Sequence, residues 1–321
     1  MKKISKSTLR RETVLLLVYP LFVITMLFLW LLPTCLRARL EQFAGRMYYE
    51  KGIKARKIAL ENLTSVFSKE KSVEEIELLA RQVFTNTAGS FLDFFAQVYI
   101  NNPKTFFKKI VSVEGEQNLQ QAFSKGKGVI CLIPHLSSWE LSAVIPPMLG
   151  YKTIAASKPI KGFLVNASMV WFRKRRGMIN FDRTGSYQNL VQGLNEGNCL
   201  ILMIDQDTNV KGCFVDFFGR QTYTPLGASR LAADTGAAIV PMATFREGTG
   251  KYRFEIMPEL PFVQTQNLEN DLIANTQAQT LAMENFIRKS PSQWVWMHRR
   301  WKTTPESLAR FLEKRRLQKE K

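Results

Sequence analysis

The chain has 321 residues, 45% of them hydrophobic, and a formal charge of +18. This length allows one large or two modest domains with a sizeable core, and the charge favours a negatively charged partner: nucleic acid, anionic lipid or a phosphorylated substrate. Four scattered cysteines and two histidines form no zinc-binding pattern, so free thiols and no metal site are expected.

The N-terminal segment predicts a membrane anchor. Five basic residues precede residues 14–32, which contain no charge and carry Tyr19 and Trp30 towards their two ends. At about 1.5 Å per residue, a helix of this length spans roughly 28 Å, close to the thickness of a hydrocarbon core. A cleaved signal peptide is the rival interpretation, but its apolar region is shorter and an A-x-A site follows it. We therefore expect residues 1–36 to form a transmembrane or membrane-embedded helix.

The rest of the chain divides by pattern into a helical part and an α/β part. Residues 36–110 show mostly helical spacing of apolar residues. From about residue 110, helical stretches separate four short apolar runs, at 128–133, 153–156, 199–204 and 238–242. This alternation predicts an α/β fold with a mainly parallel central sheet flanked by helices. The sequence contains neither G-x-x-x-x-G-K-[ST] nor G-x-G-x-x-G, two glycine-rich motifs that bind nucleotide phosphates. We expect no cofactor.

The C-terminal tail, residues 305–321, is basic and amphipathic. Leu308, Phe311 and Leu312 share one face of a predicted helix. Two interpretations stay open: a solvated terminal helix, or an interfacial helix lying against anionic lipid.

The run from residue 128 to 140, GVICLIPHLSSWE, predicts a buried strand, a sharp turn and the start of a helix. His135 falls on the turn, and Glu140 falls in the first turn of the helix. In open α/β sheets, reaction chemistry occurs at this carboxyl end of a strand. We expect Glu140 to hydrogen-bond one ring nitrogen of His135, so that the other can take a proton from a substrate hydroxyl. The alternative is a histidine that is merely hydrogen-bonded in the core beside a helix.

Two further groups of charged residues flank predicted strands. Arg173 begins a basic cluster that ends at Arg176, and Arg183 follows a short predicted strand. Guanidinium groups bind phosphate in a bidentate manner, although a solvated charged face is the alternative. Asp205 and Asp207 follow the apolar run 199–204, and we expect them to fix a loop or to pair with the arginines.

Residues 293–302, QWVWMHRRWK, combine three tryptophans, the second histidine and three cations. A nucleic-acid site would present aromatic and basic side chains together, and so would a membrane interface. The predicted anchor favours the membrane interface.

Three motifs together resemble a known family. In order and spacing, PHLSSWE, DQDTNVKGCFVDFFGRQTYTPLGASRLAADTGAAIVPM and QWVWMHRRWKT are similar to the late acyltransferases of lipid A biosynthesis, the lauroyl and myristoyl transferases. This family lies within the glycerolipid acyltransferase group marked by H-x4-[DE]. The resemblance implies an acyltransferase domain over residues 37–304 with His135 and Glu140 as its catalytic pair. It implies substrate-binding roles for one or more of Arg173, Arg176 and Arg183, and for Asp205.

The resemblance also implies the reaction and its location. The enzyme would transfer an acyl chain from a thioester on acyl carrier protein to a hydroxyl of a phosphorylated glycolipid, a lipid A precursor. It would act at the bacterial inner membrane, on the cytoplasmic side, without a metal, cofactor or nucleic acid. Aromatic residues within 91–100 or 214–218 are candidates for an acyl pocket.

Two alternative functions remain at this point. One keeps the chemistry and changes the acceptor to a lysophospholipid or a phosphatidylinositol mannoside. The other is a non-catalytic membrane protein that binds nucleic acid or anionic lipid, which leaves the pairing of His135 with Glu140 unexplained.

Overall fold

The structure is a computed structural model that describes residues 20, 24–97, 100–159 and 163–319. Residues 14–19 and 21–23 of the predicted membrane span lie outside these ranges, and residues 24–31 are helical. Over the ranges just given, no helix combines the length and the apolar character that a membrane crossing requires. The anchor over residues 1–36 therefore stays a prediction.

In the described part of residues 34–109, four helices precede the sheet, which confirms the helical pattern predicted for residues 36–110. Two of them approach closely at Gly45, where an added Cβ would lie 2.5 Å from the Cα of Thr85 on a neighbouring helix. The four are α1 (Thr34–Lys51), α2 (Ile53–Phe67), α3 (Val73–Gln97) and α4 (Pro103–Lys109).

Strands and helices then alternate, as predicted for an α/β fold. The elements are β1 (Val111–Glu114), α5 (Glu116–Phe123), β2 (Val129–Leu132), α6 (Trp139–Met148), β3 (Thr153–Ser157), α7 (Phe163–Arg175), β4 (Met178–Asp182), α8 (Tyr187–Asn195), β5 (Cys199–Leu202), β6 (Gly212–Phe217), β7 (Arg220–Pro225), α9 (Gly227–Thr235), β8 (Ala238–Gly248), β9 (Lys251–Ile256), α10 (Leu268–Lys289) and α11 (Pro305–Lys319).

Seven strands form one sheet in the order β1-β9-β8-β2-β5-β3-β4. Every neighbouring pair is parallel except β8 and β9, which confirms the mainly parallel sheet. Each of the four predicted apolar runs overlaps a strand: β2, β3, β5 and β8. The antiparallel hairpin of β6 and β7 stands apart from this sheet. Neither strand was predicted, although buried residues alternate with less buried ones along β6; they do not alternate along β7.

The central strand β2 is buried on both faces, and its residues divide between two apolar cores. Ile130 and Leu132 belong to one core, with residues of α2, α3 and α10. Val129 and Cys131 belong to the other, with residues of α5 and α6. Because β2 lies between β8 and β5, the carboxyl ends of β2 and β5 meet near the middle of the sheet.

A buried ionic network attaches the N-terminal helices to β8. Arg246 donates from Nη1 and Nη2 to the two oxygens of Glu41, each at 2.7 Å, and from Nε to Asp93 at 2.8 Å. Burial opposes the charge on Arg246, but Glu41 and Asp93 raise its pKa overall. Gln293 is bonded to the Arg246 backbone through both its side-chain oxygen and nitrogen. The network thus reaches the segment that begins at Gln293.

Candidate active site

The turn after β2 places His135 at the carboxyl edge of the sheet. Pro134 follows the last apolar residue of the strand, and proline cannot continue the hydrogen-bond ladder. The His135 side chain keeps 19% of its surface exposed. The imidazole is therefore held by the fold and still open to a substrate.

Asp205, which follows the neighbouring strand β5, fixes this imidazole. Its Oδ1 lies 2.7 Å from His135 Nδ1, and its Oδ2 accepts the His135 backbone N–H at 2.6 Å and Trp294 Nε1–H at 2.8 Å. Burial acts to raise the pKa of the Asp205 carboxyl, but the His135 ring and these hydrogen bonds hold that pKa below its usual value. An ionised carboxylate at Nδ1 favours the tautomer with its proton on Nδ1, which leaves Nε2 as the basic nitrogen.

Glu140 pairs with Arg173 in place of the expected bond to His135. Arg173 Nη2 donates to Oε1 of Glu140 at 2.7 Å, and Nε donates to Oε2 at 3.2 Å. The predicted contact was wrong because two neighbouring parallel strands bring Asp205 to Nδ1, whereas Glu140, in the first turn of α6, meets α7. A catalytic role for Glu140 stays a prediction.

Arg173 is also fixed by the ends of two strands. Its Nη1 donates to Ser157 Oγ on β3 and to Asn180 Oδ1 on β4, both at 2.9 Å. The side chains of Arg173 and Glu140 are only 14% and 21% exposed. The pair therefore joins α6 and α7 at the same edge of the sheet as His135.

The other two predicted arginines have different surroundings. Arg176 is buried, and its Nη2 donates to the backbone oxygens of Gln97 and Ile100 at 3.0 and 3.2 Å. Its burial, with a smaller contribution from the charge of Arg175, lowers its pKa to about 10. Arg183 has an exposed side chain, and its backbone N–H donates to the Ser157 backbone oxygen at 3.0 Å, beside the hydroxyl that Arg173 contacts. Their substrate-binding roles stay a prediction.

Ser137 completes the turn in a strained backbone conformation. Its φ is +53°, which a non-glycine residue adopts rarely and at a cost in energy. Its backbone N–H donates to the backbone oxygen of Gln293 at 2.8 Å. The neighbouring Leu136 forms an isolated antiparallel β-bridge with Trp294. The turn that carries His135 is therefore fixed by the segment beginning at Gln293.

Three large side chains of that segment are buried, so the membrane-interface interpretation was wrong for two of its three tryptophans. Trp294 and Trp296 are 1% and 0% exposed, and Arg300 is 0% exposed. Asp207 accepts hydrogen bonds from the backbone and side chain of Thr303 at 2.8 and 3.0 Å. The two aspartates thus fix the loop after β5, one of the two outcomes expected for them.

Sequence reasoning missed Trp294 as a residue of the site. Its indole N–H is one of the three donors to Asp205, but its distance along the chain gave no sign of this contact. The only signal was its place in an aromatic motif shared with the resembling family.

Aromatic side chains lead outward from His135. The Trp139 ring centroid lies 5.5 Å from that of His135, and the Phe91 ring lies 5.9 Å from that of Trp139. Phe91 is 48% exposed, whereas Phe217 and Phe218 of the other predicted pocket region are buried. This contact series favours Phe91, of the two predicted pocket regions, as apolar surface near the imidazole.

The side chains at this site are suited to proton transfer. No group of three or more His, Cys, Asp or Glu side chains that could hold a metal ion occurs among the residues the structure describes. An imidazole held at Nδ1 by a buried carboxylate is a general-base arrangement. Such a base can take a proton from a neutral hydroxyl group.

Comparisons with known proteins give a family and several relatives. The model of the family "Bacterial lipid A biosynthesis acyltransferase" matches residues 4–303. A lipid A biosynthesis acyltransferase of Haemophilus influenzae is 25% identical over 85% of this chain and 83% of its own length. A phosphatidylinositol mannoside acyltransferase of Mycolicibacterium smegmatis is 28% identical over 57% of this chain and 60% of its own.

A third relative is named for the acyl chain that it transfers. A lipid A biosynthesis palmitoleoyltransferase of Escherichia coli is 27% identical over 77% of this chain and 79% of its own length. The family model covers most of the residues, including every one that forms the site. The chain therefore belongs to the bacterial lipid A biosynthesis acyltransferase family and is an acyltransferase.

Proposed function

We propose that the enzyme transfers a fatty acyl chain from an acyl carrier protein thioester to a hydroxyl of a phosphorylated lipid A precursor. The observation that carries this proposal is the His135–Asp205 contact of 2.7 Å at the carboxyl edge of the sheet. It leaves Nε2 of a partly exposed imidazole as a base. Family membership directs that base towards acyl transfer.

The proposed reaction needs one base and no covalent acyl-enzyme. Nε2 of His135 takes the proton of the acceptor hydroxyl as its oxygen attacks the thioester carbonyl carbon. The tetrahedral intermediate then expels the thiolate, the C–S bond breaks, and the imidazolium returns the proton to sulfur. Asp205 stabilises the imidazolium that forms between these steps.

The start of α6 is the proposed oxyanion site. Arg173 is held by Glu140, Ser157 and Asn180, so its guanidinium is already engaged. Helix α6 begins at Trp139, and the side chain of the preceding Ser138 does not cap it. Backbone N–H groups at a helix start carry positive partial charge and stabilise a developing oxyanion.

Charge and exposed apolar surface support the proposed partners. Acyl carrier protein is acidic, and a chain of charge +18 would attract it by long-range electrostatics. Phe28 and Leu31, in the helical residues 24–31, are 57% and 71% exposed, and Phe43 on α1 is 63% exposed. Such surface favours membrane association. Because the donor is cytosolic, we place the catalytic site on the cytoplasmic side of the inner membrane.

A second acceptor class deserves a direct comparison. The match to a phosphatidylinositol mannoside acyltransferase favours a glycolipid acceptor of that kind as the alternative. Both candidates use the same site and differ only in the molecule that supplies the hydroxyl.

Supplying each acceptor to the purified full-length enzyme tests the proposal. Labelled acyl carrier protein thioester is incubated with a lipid A precursor, a phosphatidylinositol mannoside or a lysophospholipid, and products are identified by mass spectrometry. We expect one acyl group to be added to the lipid A precursor. Transfer to either of the other acceptors in its place would refute the proposed acceptor, and transfer to none would refute the proposed function.

A further inference from the structure

The turn formed by residues 298–301 lies along the loop that carries the site's aspartates. Trp294, just before the turn, donates to Asp205, and Thr303, just after it, donates to Asp207. Because Asp205 also holds His135, both ends of this short segment are attached beside the catalytic base. The turn is therefore close to where substrate would react.

Three nitrogens in this turn are buried and have no hydrogen-bond partner among the described residues. They are Nε2 of His298, Nε of Arg300 and Nε1 of Trp301. Native proteins seldom leave buried donors unpaired, and such groups call for a water, an ion or a ligand to accept from them. Three in four consecutive residues indicate a site whose acceptor comes from outside the chain.

Arg300 gives this site a buried positive charge. Its remaining nitrogens donate to neutral groups: Nη1 to the backbone oxygen of Tyr223 at 2.8 Å, and Nη2 to Thr224 Oγ1 at 2.6 Å. None of the ion pairs within 4.0 Å found among the described residues includes Arg300. Burial lowers its pKa to about 10, although Asp205 and Asp207 favour the charged form. The guanidinium stays charged at neutral pH and lacks a close anion.

Trp301 and His298 are the other two residues of the turn with a nitrogen left unpaired by the described residues. The Phe217 ring is 5.7 Å from the Trp301 ring and 5.1 Å from the Arg300 guanidinium carbon, so these two residues share a neighbour. Burial lowers the pKa of His298, and the charge of His135 adds to this effect. His298 is thus a neutral imidazole near the catalytic one, able to donate from Nε2 in one tautomer.

We propose that the 298–301 turn binds a phosphate group of the substrate through His298, Arg300 and Trp301. The assignment rests on the proposed function, because a phosphorylated substrate supplies the anion. Arg173 and Arg176, which the sequence favoured for this task, use their guanidinium groups within the protein. Phosphate can come from the glycolipid acceptor or from the phosphopantetheine arm of the donor, and the chemistry recognised is the same.

Three variants test the assignment. Trp301→Phe removes one N–H and keeps the ring, and His298→Ala removes the imidazole, while His298→Gln restores an amide donor. Trp171→Phe, at a tryptophan that is 50% exposed, is the matched control. For each variant, kcat/KM is measured with acceptor that carries or lacks its phosphate, and with acyl carrier protein or a thioester that lacks phosphate.

If the acceptor supplies the phosphate, Trp301→Phe and His298→Ala should each reduce the preference for phosphorylated acceptor by tenfold or more. If the donor supplies it, the preference for acyl carrier protein should fall instead. His298→Gln should recover part of either loss, and the control should match the wild type. If neither preference changes by more than twofold, water satisfies the donors and the assignment is overturned.

A binding measurement separates this inference from the proposed function. Inorganic phosphate should raise the melting temperature of the wild type and of Trp171→Phe, and it should raise that of Trp301→Phe by less than half as much. This result would support the phosphate site even if the wild type transferred no acyl group to a glycolipid. Equal shifts in all three proteins, or none, would overturn it.

Discussion

Replacing Asp205 with asparagine should abolish most of the activity by changing the tautomer of His135. Asp205 accepts three hydrogen bonds, from the His135 backbone and Trp294 at Oδ2 and from Nδ1 at Oδ1. Two N–H donors meet at Oδ2, so the single amide oxygen of asparagine is expected to take that position. The amide NH₂ then faces Nδ1, which must accept, and the proton moves to Nε2. The nitrogen that faces the substrate can no longer act as a base.

The magnitude follows from the chemistry lost. General-base catalysis contributes about 10²–10⁴-fold, and the equivalent tautomer error in serine proteases costs about 10⁴-fold in kcat. We expect kcat of Asp205→Asn to fall about 10³-fold with the KM for the acceptor little changed. Single-turnover transfer from labelled acyl carrier protein measures this loss. Asp182→Asn, at an exposed carboxylate, is the control.

The reasoning would be refuted if Asp205→Asn, folded by circular dichroism, kept more than a tenth of the wild-type kcat. A loss confined to KM would also contradict it, because binding and not proton transfer would then depend on Asp205.

Three further predictions concern the same structure. Glu140→Gln and Arg173→Ala disrupt one ion pair, so the double variant should lose no more activity than the worse single variant; additive losses in a double-mutant cycle would show that the residues act separately. The folded-state pKa of Asp205 lies below the unfolded value of about 3.9, so its stabilising contribution is present above that pH and disappears as pH falls further. The advantage of the wild type over Asp205→Asn in urea unfolding should therefore be retained from pH 6 to about pH 4.5 and shrink as the pH falls below about 4. A gap that stays constant down to about pH 2 would contradict the assigned pKa direction. Gly45→Ala places a Cβ 2.5 Å from the backbone of α3 and should cost about 1–3 kcal/mol of unfolding free energy. Gly227→Ala is the control, because the space at its Cβ is open, and it should be nearly neutral. Similar melting temperatures for the two variants would contradict this packing.

Local sequence patterns sufficed to predict five of the nine strands described, β2, β3, β4, β5 and β8, together with the turn and the catalytic candidate. The apolar run before Pro134 predicts β2 because a strand buried on both faces needs continuous apolar residues. The turn after it places His135 at the functional edge because parallel strands end there together.

The partners of the site residues required knowledge of which strands are neighbours. Glu140 is five residues from His135, whereas Asp205 is seventy residues away, and only the pairing of β2 with β5 brings Asp205 to the ring. The burial of Trp294 and Arg300 was likewise not predictable, because an aromatic and basic run is compatible with a surface as well as with a core.

The most direct test of the central claim is the single-turnover rate of acyl transfer in His135→Ala. If Nε2 of His135 takes the proton of the acceptor hydroxyl, the rate should fall by about 10²–10⁴-fold while the variant stays folded and still binds both substrates. A folded His135→Ala enzyme that transfers acyl chains within tenfold of the wild-type rate would contradict the account.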